Sequence, residues 1–153
     1  MPWRITIIKE IVMNKSQITN SKFQINIKHQ ISNKTNTNTV YNLEERTFCF
    51  ARETTFFCRK LPPTTSNYEY SKQAIRSSGS VGANYIEANE SLSKADFLLR
   101  IKICRKEAKE SAYWFRLIIE TNLEQFVKDG IALQKEGTEL KRIFCSILEK
   151  SRH

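Results

Sequence analysis

Apolar residues recur at spacings of three and four positions through most of the chain after residue 41, which is the pattern of amphipathic α-helices. The first apolar stripe comprises Phe50, Ala51, Thr54, Phe57, Cys58 and Leu61. Asn42 precedes it as an N-cap residue with Glu45 three positions later, and the prolines Pro62 and Pro63 follow it as a stop signal. These signals predict a first helix that begins after Asn42 and ends before Pro62.

A second helical pattern begins at the capping motif SNYE, residues 66–69, and continues without a phase break through SVGANYIEAN, residues 80–89. Glycine inside a helix costs roughly 1 kcal/mol relative to alanine, so Gly79 and Gly82 need a structural reason. We expect a neighbouring helix to approach closely at this point. The residues expected at that helix contact are Ser78, Gly82 and Tyr85. The alternative is a helix break at residues 77–80.

The motif SKAD, residues 93–96, caps the longest periodic run of the chain. Its apolar positions are Phe97, Ile101, Cys104, Ala108, Phe115 and Ile118. Asp129 is then expected to cap a fourth helix, with Gly137 as a small residue in its stripe. Four helices with short connections bury their stripes most simply as an antiparallel up-down-up-down bundle. The predicted fold class is therefore all-α, with a four-helix bundle domain over residues 41–153.

The first 40 residues differ in composition, because they form a polar, low-complexity segment rich in Asn, Ser, Thr, Gln and Lys. We predict that residues 1–40 are a disordered extension; a translation start assigned too early is the alternative. Residues 1–39 hold six Lys or Arg and a single acid, Glu10. This segment therefore carries more than half of the formal net charge of +9. Such a basic tail either binds polyanions or is a solvated extension.

Residue types that carry catalysis or bind metals are sparse in this sequence. The four cysteines are isolated from one another, without CxxC pairs, and the two histidines are His29 and His153. With no histidine in residues 41–152, neither a nucleophilic site nor a di-iron site of the bundle type can be assembled. We therefore expect no enzyme activity, no cofactor and no metal. The lack of a long apolar run or a signal peptide predicts a cytoplasmic protein.

Several motifs of one known family occur here in order. They are LEERTF (residues 43–48), IRSSGSVGANYIEAN (75–89), SKADF (93–97), IKICRKEAKES (101–111) and YWFRLI (113–118). On these motifs, residues 41–153 resemble the bacterial four-helix bundle proteins encoded in intervening sequences of 23S ribosomal RNA genes. The chain departs from the family pattern at Thr54, Thr55 and Gly137, which we expect to loosen the bundle without removing a known site.

The resemblance implies a left-handed antiparallel bundle that assembles into a ring-shaped homopentamer and has no enzyme activity. It implies a link to ribosomal RNA. A related branch of the family serves diversity-generating retroelements as an accessory protein, so the resemblance also implies nucleic acid and a reverse transcriptase as candidate partners.

The polar side of the third helix is the candidate binding surface. Its cations are Arg100, Lys102, Arg105, Lys106, Lys109 and Arg116. Repeated around a ring, these side chains would supply many phosphate contacts to RNA or DNA. The alternative is a solvated face, with Lys106 and Glu110 as an ordinary i,i+4 pair, in a protein-interaction module that binds no nucleic acid. Tyr113 and Trp114 are expected to pack rather than to stack on bases.

Overall fold

The computed structural model describes residues 42–151, and these residues form four α-helices with no strand. The helices are α1 (Leu43–Arg59), α2 (Thr65–Asn89), α3 (Lys94–Thr121) and α4 (Glu124–Lys150). Each is joined to the next by a short connection and packs against it, and α1 also meets α4, more sparsely. This is the predicted up-down-up-down four-helix bundle. The predicted disordered extension, residues 1–40, lies outside the described residues.

Four phenylalanines, one from each of α1 and α4 and two from α3, anchor the core. Phe50, Phe97, Phe115 and Phe144 are each at most 1% exposed. Phe115 receives the rings of Phe50 and Phe57 edge-on, with centroid distances of 6.1 and 6.3 Å. The helix α2 contributes mostly small buried residues instead, among them Ala74 and Val81. The core is therefore filled by large side chains of α1, α3 and α4 against a slimmer α2.

The helix boundaries confirm some of the capping predictions and correct others. Helix α3 begins as predicted, because the Ser93 hydroxyl accepts a hydrogen bond from the Asp96 amide at 3.1 Å. The prediction for α2 is wrong by two residues, since the cap is Thr64, whose hydroxyl accepts from the Asn67 amide at 3.2 Å. Thr64 lies just beyond the two prolines in extended backbone, which is the geometry of an N-cap.

The predicted start of the fourth helix is also wrong. Helix α4 begins at Glu124, with Leu123 at its N-cap and no side-chain capping bond. Asp129 instead lies within α4, where its carboxylate forms an ion pair with Lys60 at 3.4 Å. The first turn of α4 is supported by the half-buried side chains of Phe126 and Val127, so packing replaces the missing cap.

The stretch SVGANYIEAN is helical throughout, and no break occurs at residues 77–80. A Cβ on Gly82 would lie 3.6 Å from Thr47 Oγ1 and 3.8 Å from the Thr47 backbone carbon, so α1 passes directly over this position. Ser78 is buried, and the buried Tyr85 packs on Phe144 with a centroid distance of 6.0 Å. Gly79 is different, because no atom lies within 4 Å of its Cβ position. Packing therefore explains Gly82 but not Gly79.

Gly137 marks a second close approach, between α4 and α3. A Cβ there would lie 3.3 Å from the Ala108 carbonyl oxygen and 3.4 Å from the Phe50 ring. The absence of a side chain lets the two helices pack closely, which is the opposite of the loosening expected from the sequence. The buried Thr54 donates its hydroxyl proton to the Phe50 carbonyl at 2.8 Å, which satisfies the polar atom inside the core.

Candidate nucleic-acid interface

Helix α3 carries a row of cations on the side opposite its buried stripe. Its core side chains recur at positions 97, 101, 104, 108 and 115, so residues shifted by about half a turn from these positions point outward. Five exposed cations occupy that outward side and are called here the α3 cationic strip. They are Lys102, Arg105, Lys106, Lys109 and Arg116.

The strip has no carboxylate partner among the residues that the structure describes. Within residues 42–151, no ion pair or hydrogen bond engages any of its five side chains. Other arginines of the bundle are paired, such as Arg46 with Glu136 and Arg76 with Glu107. A cation without a partner can contact a phosphate without first breaking an ion pair, so the strip, with five such cations on one side of a single helix, is suited to a polyanion.

Arg100 does not belong to this strip, which corrects the sequence-based grouping. Its half-buried guanidinium points to α2, where it pairs with Glu87 and donates a hydrogen bond to Asn84 Oδ1 at 3.3 Å. Asp96, one turn earlier on α3, lies 3.6 Å from its Nε. Two carboxylates and an amide thus hold Arg100 as a link between α2 and α3.

The predicted pair of Lys106 and Glu110 is not formed. Glu110 instead binds Arg76 of α2 and accepts a hydrogen bond from Trp114 Nε1 at 3.2 Å. Glu107 is 8% exposed, and its Oε2 lies 3.5 Å from Arg76 Nη1. Both central carboxylates of α3 are therefore turned toward α2, which leaves the ammonium of Lys106 unopposed.

The two aromatic residues of α3 have different environments. Trp114 stacks on Tyr70 of α2 with a centroid distance of 6.1 Å, so it packs between helices as expected. Tyr113 is 56% exposed and lies one turn from Lys109 on the outward side of α3. An exposed ring beside unpaired cations can stack on a base, which makes Tyr113 a candidate site residue that the sequence reasoning assigned to packing.

The described residues offer little of the chemistry that metal binding or nucleophilic catalysis requires. No group of three or more His, Cys, Asp or Glu side chains that could hold a metal ion occurs in the part of the chain that the structure describes. Burial raises the pKa of the thiols of Cys49, Cys58 and Cys104, and that of Cys104 reaches about 12. These thiols are protonated at neutral pH, so they are poor nucleophiles.

We expect the raised thiol pKa values to weaken the fold in alkali. The pKa of Cys104 rises from 9.0 to about 12 on folding, because burial disfavours the thiolate. The unfolded chain therefore releases this proton first, and the stability that is fully present below pH 9 falls as the pH approaches 12. Urea unfolding between pH 8 and 11 should show this loss, and Cys104→Ala should reduce it. A Cys104→Ala variant with an unchanged pH dependence would contradict the assignment.

The described residues thus define a small antiparallel four-helix bundle with a row of exposed cations along its third helix. A sequence profile described as "23S rRNA-intervening sequence protein" matches residues 39–146. The chain therefore belongs to the 23S rRNA-intervening sequence protein family. No curated protein matches it. Across residues 42–151, no helix is long and apolar enough to cross a membrane.

A solved structure shows the same fold. It is the crystal structure of a protein of unknown function from the S23 ribosomal protein family of Bacteroides thetaiotaomicron. The two sequences are 29% identical, the match covers 71% of this chain and 99% of that one, and the TM-score is 0.63. The similarity spans nearly the whole of the other protein, so the bundle domain is the part the two share.

Proposed function

We propose that this chain is a non-enzymatic, nucleic-acid-binding scaffold whose α3 cationic strip contacts phosphates. The observation that carries this proposal is the absence of any carboxylate partner for Lys102, Arg105, Lys106, Lys109 or Arg116 among the described residues. Neutralising phosphates with such cations releases condensed counterions, which drives binding without sequence preference. The exposed ring of Tyr113 adds a stacking surface beside the strip.

We further propose that the scaffold is a homopentameric ring, as the family resemblance implies. One strip offers few phosphate contacts, and five copies on one assembly would raise the effective concentration at each successive contact. Large apolar side chains are exposed on α1, α2 and α3 and are available to bury between subunits. They include Phe48, Phe56, Ile86 and Leu99, each between 47% and 57% exposed.

Substitution of two central cations of the strip tests the binding proposal. We expect Arg105→Ala combined with Lys109→Ala to weaken binding of labelled RNA and DNA roughly tenfold or more at low salt, because two phosphate contacts are lost per subunit. Both residues are exposed, so helicity should be unchanged. The readout is fluorescence anisotropy, with light scattering to measure the size of the assembly.

The matched control removes the same charge elsewhere. Lys128 and Lys135 are exposed on α4, away from the strip, and have no carboxylate partner among the described residues. The double variant Lys128→Ala with Lys135→Ala should keep most of the affinity. Equal losses in the two double variants would show a diffuse charge effect, and no loss in either would favour a protein-interaction module that binds no nucleic acid.

A further inference from the structure

An open groove of about 450 Å³ lies at the corner where α1 ends and α2 begins. It is named here the corner groove. Its apolar surface is formed by three residues of the connection and one residue in the third turn of α2. These residues are Leu61, Pro62, Pro63 and Ile75. The exposed ring of Tyr68, 69% of which is accessible, stands at its edge.

The polar atoms of the groove floor are already satisfied. Asn67 donates to the Pro62 carbonyl at 3.0 Å and exchanges two hydrogen bonds with Asn122, at 2.8 and 2.7 Å. The Ser71 hydroxyl is hydrogen-bonded to the Cys58 thiol. The floor therefore offers a ligand apolar surface and few free hydrogen-bonding groups.

The rim of the groove is positive. Arg59 and Lys72 both line it, and no acidic residue does. Neither cation has a carboxylate partner within residues 42–151, although Arg59 lies over the Phe56 ring at 6.0 Å. The N-terminus of α2, at Thr65, adds the partial positive charge of a helix end. An apolar floor under two unpaired cations is complementary to an anionic ligand with an apolar side chain.

We propose that the corner groove binds a short acidic peptide segment of a partner protein, with one aliphatic or aromatic side chain of that segment seated on Ile75, Leu61 and the two prolines. The carboxylates of the segment pair with Arg59 and Lys72. A nucleic acid fits this groove less well, because a floor with its polar atoms satisfied cannot read base edges.

The corner groove and the α3 cationic strip are built from different residues on different helices. The groove is built from α1 and α2, whereas the outward side of α3 carries the strip. The groove proposal therefore does not depend on nucleic-acid binding, and both sites could be occupied at once. A chain with both sites would join a protein partner to a nucleic acid.

Selection of peptides from a displayed library of random decapeptides against the immobilised full chain tests the proposal. We expect enriched peptides to combine Asp or Glu with a Leu, Ile, Phe or Trp anchor. Their affinity should fall roughly tenfold or more in Ile75→Glu, and in the double variant Arg59→Ala with Lys72→Ala. Leu92→Glu is the matched apolar control, since Leu92 is exposed just after the same helix and lies outside the groove. Lys128→Ala with Lys135→Ala is the matched charge control.

The other outcomes overturn the proposal. Enrichment without acidic or apolar bias, no enrichment, or equal losses in the control variants would show that the groove is not a peptide site. A groove variant that binds peptides normally but loses affinity for labelled single-stranded RNA would assign the groove to nucleic acid. If the unaltered chain binds no peptide and Ile75→Glu lowers the mass of the assembly, the groove is a contact between copies of this chain.

Discussion

Gly82→Leu is expected to destabilise the bundle by about 2 to 3 kcal/mol, because overpacking a helix contact costs about this much. A Cβ at this position is in ordinary contact with Thr47, at 3.6 Å from its hydroxyl oxygen. The leucine atoms beyond Cβ would meet the backbone of α1, whose Thr47 carbonyl carbon is already 3.8 Å from that Cβ. A backbone inside a helix cannot rotate away as a side chain can, so α1 would have to move.

Gly79 provides the control for this experiment within the same helical turn. No atom lies within 4 Å of its Cβ position, so Gly79→Leu should raise stability by up to roughly 1 kcal/mol through helix propensity alone. Gly82→Ala should be neutral or slightly stabilising, because one methyl group fits. Urea unfolding followed by circular dichroism measures all three variants. If Gly82→Leu is as stable as Gly79→Leu, the inference that α1 passes closely over Gly82 is wrong.

Arg46→Met is expected to destabilise the protein by about 2 to 3 kcal/mol, because it leaves a buried carboxylate without its partner. Arg46 binds Glu136 in a bidentate pair, with Nε–Oε1 and Nη2–Oε2 distances of 2.5 and 2.9 Å. The Glu136 side chain is 9% exposed and that of Arg46 is 21% exposed. The pair joins α1 to α4, the neighbouring helices with the sparsest packing. The ion pair therefore holds an interface that has few other contacts.

Two further variants separate the cost of an orphaned charge from lost packing. Arg46→Met combined with Glu136→Leu should recover much of the stability, because no charge is left buried. Lys60→Met removes an exposed pair between the same two helices, with side chains 61% and 57% exposed, and should change stability by about 1 kcal/mol or less. A double variant as unstable as Arg46→Met would show that the loss comes from packing instead.

The sequence predicted the parts of the fold that depend on local signals. The apolar stripes predicted four helices. The Ser93 cap was predicted correctly because the hydroxyl that accepts the hydrogen bond and the Asp96 amide that donates it are three residues apart in the chain. The start of α4 was missed because Leu123 caps it without a side-chain bond, so no local signal exists there. The start of α2 was predicted two residues too late, because the S-x-x-E motif at Ser66 was taken as the cap, whereas the cap is Thr64.

The candidate site was predicted less completely, because ion pairs between helices cannot be read within one helix. Arg100 was grouped with the strip, although it pairs with Glu87 of α2. The burial of Glu107 could have been predicted from the sequence, since this residue lies three positions after Cys104 and next to Ala108 in the buried stripe. The corner groove had no sequence signal, because it arises from the way the connection folds over the start of α2.

The salt dependence of nucleic-acid affinity tests the central claim most directly. The intact chain, as it assembles in solution, is titrated with labelled RNA and DNA at several salt concentrations. If the α3 cationic strip binds phosphates, the logarithm of the affinity falls linearly with the logarithm of the salt concentration, by roughly 0.7 to 0.9 per phosphate contact. The slope becomes shallower by about two units per bound subunit in Arg105→Ala with Lys109→Ala. An intact assembly that binds neither RNA nor DNA at low salt, or whose salt dependence is the same in that variant, would contradict the account.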